Sequence, residues 1–109
     1  MSKSLLHTLF ALMLVCSGLA VAAFGSEAAT EVRIDNFTMS PKTVTVAPGT
    51  TVRWTNADDI PHTIVSDDHV FKSKVMDTGD QFAYTFATAG TFNYFCSIHP
   101  HMTGTIVVK

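Results

Sequence analysis

The sequence predicts a small all-β domain, a sandwich or barrel of short strands. Three observations favour this fold. After residue 26, short runs rich in Val, Ile, Thr, Phe and Tyr alternate with turn residues. Within these runs apolar residues recur at every second position, which is the period of a half-buried strand. No stretch of this region has helical periodicity of useful length, and 109 residues suit one domain.

The alternation predicts seven strands, each with an apolar face. They are residues 31–37, 43–46, 51–56, 62–66, 81–86, 91–96 and 103–109. Pro48 and Gly49 mark one turn, because proline presets φ and glycine permits a positive φ. Residues 87–90 mark another. Residues 67–80 have the weakest pattern, and we expect a variable loop there with a short strand or helical turn near Val70.

The N-terminus has the pattern of a secretory signal peptide. Lys3 is the only charged residue before Glu27, residues 5–23 are nearly all apolar, and small residues follow. The sequence therefore predicts a cleaved signal peptide at 1–25, a mature domain at 26–109 and export to the periplasm. The alternative is an uncleaved membrane anchor, because the apolar stretch is almost long enough to span a bilayer.

Charge and cysteine content narrow the function. The formal net charge is −2 and no basic cluster is present, so we expect no nucleic-acid partner. Once the signal peptide leaves, Cys96 is the only cysteine and no disulfide can form within the chain. A lone thiol in an oxidising compartment is protected only if it is buried or bound to a metal. A buried structural cysteine is the simpler interpretation.

A second pattern favours a metal ligand. Cys96, His99 and Met102 follow an aromatic strand at Cys-x2-His-x2-Met spacing, and His62 lies upstream beside a proline. Two imidazoles, one thiolate and one weak thioether are the ligands of a mononuclear blue-copper centre. Because strand side chains alternate between faces, Cys96 points inward with Tyr94. His62 shares a face with Ile64, so a metal could join the two strand ends.

These residues resemble the motif of the cupredoxins, and the short spacing is similar to that of the amicyanins. The resemblance runs from about residue 31 to residue 109. It implies a small Greek-key β-sandwich with one copper site at the loop end. It assigns His62, Cys96 and His99 as trigonal ligands and Met102 as the axial ligand. It also implies that Asn56 ties the His62 loop to the cysteine loop, although Asn56 could be an ordinary turn residue.

His101 is an alternative to His99. It would give Cys-x4-His, a spacing of other cupredoxins, but no methionine then follows at a useful distance. His99 with Met102 uses all three groups, so we favour it. The amicyanin pattern usually has an apolar residue where His101 stands, and we interpret His101 as a solvated surface histidine. His69, in an acidic loop, has the same interpretation.

The sequence thus predicts an exported electron carrier with one copper, and no enzymatic activity. The resemblance implies a monomer that serves redox proteins, with a periplasmic dehydrogenase as donor and a c-type cytochrome as acceptor, and without membrane insertion after cleavage. One alternative is a copper-delivery protein, against which a buried thiolate argues. Another is a hydrolase or transferase with Cys96 as nucleophile. The inward direction of Cys96 and the unused Met102 argue against that.

Overall fold

The computed structural model describes residues 29–109, which fold into two four-stranded sheets. The strands are β1 (Thr30–Asp35), β2 (Thr38–Ser40), β3 (Thr43–Val46), β4 (Thr50–Asn56), β5 (Val65–Ser66), β6 (Gln81–Phe86), β7 (Gly90–Phe95) and β8 (Thr103–Val108). No helix occurs between residues 29 and 109. The predicted all-β sandwich is confirmed.

The chain crosses repeatedly between the sheets. One sheet has the order β2-β1-β4-β6 and the other β3-β8-β7-β5. Only β1–β2 and β7–β8 are antiparallel neighbours that are also consecutive in sequence. β1 runs parallel to β4, and β3 runs parallel to β8. Because β1 and β4 are parallel, their C-terminal ends lie at the same end of the sheet. There the Ala57 N–H donates to Ile34 O.

The core joins the inner faces of both sheets around Trp54. This side chain of β4 is fully buried, and its ring lies 5.3 Å from that of Tyr94 on β7 and 5.7 Å from that of Phe71. Phe82 on β6 packs 5.6 Å away. Each fully buried side chain of this size contributes about 1.5–3 kcal/mol relative to exposure. These rings pack the two sheets against each other, and the loops of the site extend from these sheets.

The first strand ends two residues earlier than predicted, at Asp35 rather than Phe37. β1 stops at Asp35 because Asn36 and Phe37 have φ values of 52° and 57°, which no extended strand contains. Asparagine enters this left-handed region more readily than most residues. The turn reverses the chain into β2, a strand that the sequence pattern did not predict. It also brings Phe37 to the end of the molecule where β4 stops.

The fourth predicted strand, residues 62–66, is shorter than expected. Only Val65 and Ser66 form β5, and all five residues are buried. The loop that follows covers them. His62 and Met76 exchange backbone hydrogen bonds of 3.1 and 2.8 Å, and Ser73 N–H donates to Ile64 O at 2.8 Å. Neither a strand nor a helical turn forms at Val70–Phe71.

The predicted signal peptide at 1–25 lies outside the described residues, so the cleavage and the domain boundary at 26 stay predictions. Among residues 29–109 there is no helix long and apolar enough to cross a membrane.

Candidate metal centre

The loop between β7 and β8 carries three of the four predicted ligands. Cys96 N–H donates to Met102 O at 3.0 Å, which extends the β7–β8 ladder by one pair and closes the loop. Inside it, His99 N–H donates to Cys96 O at 3.1 Å, and Met102 N–H donates to His99 O at 2.9 Å. These three backbone hydrogen bonds fold the Cys-x2-His-x2-Met segment into successive turns. Cys96 and Met102 are buried, and His99 is half-buried.

His62 reaches the same point from the other side. Its Nδ1 lies 3.7 Å from Cys96 Sγ, and the Nδ1 of His99 lies 3.8 Å from the same sulfur. The ligand atoms of the three residues all fall within 4.8 Å of one another. The structure therefore brings together one thiol and two imidazoles contributed by two separate segments.

Asp58 orients the His62 ring. Its Oδ2 accepts the Nε2–H of His62 at 2.9 Å and the backbone N–H of Phe37 at 3.1 Å. The Phe37 N–H and the His62 side chain hold the pKa of the Asp58 carboxyl below its usual range, so Asp58 is an ionised acceptor. Because Nε2 carries the proton that it donates, Nδ1 is the nitrogen available to a metal.

The Cys96 thiol is acidic for a buried group. Burial by itself raises its pKa, but hydrogen bonds outweigh burial and lower the pKa to about 6. The Thr63 backbone N–H donates to the sulfur at 3.3 Å, and the Thr63 hydroxyl and the Nδ1 atoms of His62 and His99 lie 3.7–3.8 Å from it. Thiolate is the form of cysteine that binds metals. The site thus holds its softest ligand ready at neutral pH.

We expect the metal-free protein to show this acidity directly. The ultraviolet absorbance of the thiolate should titrate near pH 6, whereas an ordinary thiol titrates near 8.5. Since the folded-state pKa is the lower one, the free energy of unfolding should rise between about pH 6 and 8.5 and fall as acid is added. Urea unfolding across this range checks the sign. Cys96→Ser should lose this dependence, and a thiol that titrates near 8.5 would contradict the hydrogen-bond account.

Phe37 is a site neighbour that the sequence did not indicate. Its ring stands edge-on to both imidazoles, with centroids 5.8 Å from His62 and 5.1 Å from His99. Half of Phe37 is exposed (50%). No local pattern could have revealed it, because its place depends on the β1–β2 turn. Asp58 and Thr63 were also missed, although an acid four residues before a buried histidine, and a hydroxyl directly after it, were visible signals.

The structure also tests the sequence interpretations of His101, His69 and Asn56. His101 and His69 are exposed, and the group of close ligand atoms contains His99 instead. Asn56 is fully buried and its Nδ2 donates to Ile60 O and Met76 O, each at 2.9 Å. The expected link from Asn56 to the cysteine loop is therefore wrong, since its bonds stay within the His62 side of the site. Thr63 and Ser97 make that link.

The donor set fits copper. One thiolate and two imidazoles whose ligand atoms lie within 4.8 Å of one another suit a blue-copper ion, and Met102, which has a thioether, is buried at the end of the same loop. The groups around the ligands fit as well, because the Asp58 carboxylate orients the His62 imidazole and the Thr63 N–H donates to the Cys96 sulfur.

Comparison with known proteins agrees with this chemistry. A family model described as a cupredoxin-like domain matches residues 5–108. The amicyanin of Paracoccus versutus is 34% identical over 71 residues, 61% of this chain and 54% of that protein. The plastocyanin of Scenedesmus fuscus is 35% identical over 82 residues, 63% of this chain and 84% of that protein. The chain spans about half the length of the two amicyanins from Paracoccus that it matches (54% and 53%).

A solved cupredoxin structure also has a similar fold. The purple cupredoxin of Nitrosopumilus maritimus superposes with a TM-score of 0.71 at 34% identity, over 73% of this chain and 99% of that one. The chain therefore belongs to the cupredoxin-like family, and copper is its cofactor. Within the family it is similar to amicyanins and plastocyanins. The predicted family is confirmed.

Proposed function

We propose that this protein is an exported, monomeric carrier of single electrons, in which His62, Cys96, His99 and Met102 hold one copper ion. The observation that carries the proposal is the convergence of three ligand atoms within 4.8 Å at the loop end of the sandwich. Bound copper supplies one-electron chemistry between Cu(II) and Cu(I). The chain supplies ligands that suit both states, so little has to move when an electron is transferred.

His99 is the proposed route for the electron. Of the two imidazoles, His62 is fully buried, whereas His99 is half-buried and lines a groove with exposed Phe37 and Ile98. A redox partner that covers these apolar side chains would approach the His99 ring and exclude water from it. Amicyanins and plastocyanins among the relatives support redox proteins as partners. We propose a periplasmic dehydrogenase as donor and a c-type cytochrome as acceptor.

A change of the axial ligand should shift the reduction potential of the copper site. Met102→Gln should keep the metal but lower the reduction potential, because a harder oxygen donor favours Cu(II) over Cu(I). We expect the equilibrium to change by at least about tenfold, or 59 mV for one electron. Cyclic voltammetry measures the shift. Met39→Leu is the matched control, because Met39 is also buried (2% exposed, against 6% for Met102) but lies on β2.

The voltammogram also tests the carrier itself. A reversible one-electron wave of the unmodified protein supports it, and an unchanged or raised potential in Met102→Gln would count against Met102 as axial ligand.

A copper-delivery protein would instead release its metal to a chelator during dialysis. The burial of His62 and Cys96 favours retention.

A further inference from the structure

One residue makes two separate contacts with the Cys96 sulfur. The backbone N–H of Thr63 donates to Sγ at 3.3 Å, and the Thr63 hydroxyl oxygen lies 3.7 Å from the same atom. Thr63 is buried, with 6% of its surface exposed, and Cys96 is fully buried. Water therefore does not compete for these contacts, and the direction of the hydroxyl proton decides whether Thr63 gives the sulfur one hydrogen bond or two.

The surroundings of that hydroxyl allow two arrangements. Thr63 Oγ1 accepts the backbone N–H of Ser97 at 2.8 Å and also lies 2.8 Å from Ser97 Oγ. A hydroxyl has one proton to donate and two lone pairs. Either Thr63 donates to Ser97 Oγ and leaves the sulfur with one donor, or Ser97 donates to Thr63 and the Thr63 proton faces the sulfur.

Two facts favour the second arrangement. It alone satisfies all three contacts of Thr63 Oγ1, because both lone pairs and the proton are then used. It also directs the proton at a thiolate, and hydrogen bonds to ionised acceptors are stronger than those between neutral groups. Ser97 is exposed at the surface, so its oxygen can accept from water instead.

We propose that the Thr63 hydroxyl donates a second hydrogen bond to Cys96 Sγ, beside the one observed from the backbone N–H, and that Thr63 is thereby a positioning residue for the sulfur. The inference rests on the proposed copper site and deepens it. Hydrogen bonds to the sulfur stabilise the state in which it carries more negative charge, which is the reduced state. The hydroxyl therefore raises the reduction potential, and with Ser97 it joins the His62 segment to the cysteine loop.

Thr63→Val tests the hydroxyl with little change of shape. It keeps the backbone N–H and removes the proton, so the reduced state should become about tenfold less favoured, a fall of 59 mV for one electron. The visible charge-transfer band should shift to lower energy, because sulfur electrons are then easier to remove. Thr63→Ser retains the hydroxyl and should restore both values. An unchanged potential and band in Thr63→Val would overturn the proposal.

Ser97→Ala separates the two arrangements. It removes Ser97 Oγ and keeps the backbone N–H that Thr63 accepts. If the Thr63 proton already faces the sulfur, the equilibrium should change less than about twofold, or 18 mV. If the proton faces Ser97 in the native protein, the variant frees it for the sulfur and the potential rises, which would contradict the proposal.

A measurement on the unmodified, metal-free protein needs neither a variant nor copper. NMR should find the Thr63 hydroxyl proton slow to exchange and closer to the Cys96 β-protons than to those of Ser97. The opposite pattern refutes the proposal even if Thr63→Val does not fold. Because this experiment uses the protein without metal, a failure of the electron-carrier function leaves its result unaffected.

Discussion

Replacing Cys96 with serine is expected to abolish the intense visible absorption of the Cu(II)-loaded protein. The band arises from charge transfer between the thiolate and copper, and a serine oxygen has no electrons at comparable energy. The fold should survive, because serine is close in size and the Thr63 N–H that donates to Sγ can donate to the new oxygen. Absorption spectra record the loss, and circular dichroism shows whether the strands remain.

His101→Ala is the matched control for this variant. His101 lies in the same loop but is exposed and outside the group of close ligand atoms, so the band should persist at nearly full intensity. A band that survives in Cys96→Ser, or one that disappears in His101→Ala, would show that the ligand assignment is wrong.

Gly104→Ala is expected to destabilise the domain strongly. Gly104 on β8 is the cross-strand partner of Tyr94 on β7, and the Tyr94 ring lies directly over it. A methyl group there would overlap the Cζ and hydroxyl oxygen of Tyr94, and the ring is buried (1%) against Trp54. Overpacking of this kind costs about 1–3 kcal/mol. For a domain of this size that lowers the melting temperature by roughly 4–8 °C per kcal/mol.

Two further variants test whether overlap with the Tyr94 ring causes the loss of stability in Gly104→Ala. Thr45→Ala, at an exposed position of β3, should change the free energy of unfolding by less than about 0.5 kcal/mol. A double variant that adds Tyr94→Leu to Gly104→Ala should be destabilised by less than the sum of the two single changes, because the smaller side chain removes the overlap. Additive losses would indicate that the Tyr94 ring is not the reason for glycine at this position.

The parts of the site predicted from sequence are those set by local geometry. Cys96, His99 and Met102 are brought together by three hydrogen bonds within one loop, so their spacing alone predicts their proximity. The inward direction of Cys96 follows from strand alternation, and β3 and β6 match the predicted bounds. The geometry of His62 relative to Cys96 required the additional assumption that two strand ends meet.

The parts that were missed depend on tertiary placement. Phe37 reaches the imidazoles only because two residues with positive φ end β1 early. Asp58 matters because its carboxylate faces a buried ring, which a charge in a loop does not reveal. Asn56 was assigned to the wrong partner because its amide could reach several carbonyls, and only the fold selects Ile60 and Met76. In each case the sequence shows a polar or aromatic residue without the neighbour that gives it a role.

The most direct test of the copper site is a visible and EPR spectrum of the protein reconstituted with Cu(II). For the proposed site we expect an intense charge-transfer band together with the narrow copper hyperfine splitting of a thiolate-bound, trigonal site, at one copper per chain. A colourless protein with the wide splitting of a square-planar nitrogen and oxygen site would contradict it, because Cys96 would then not be a ligand.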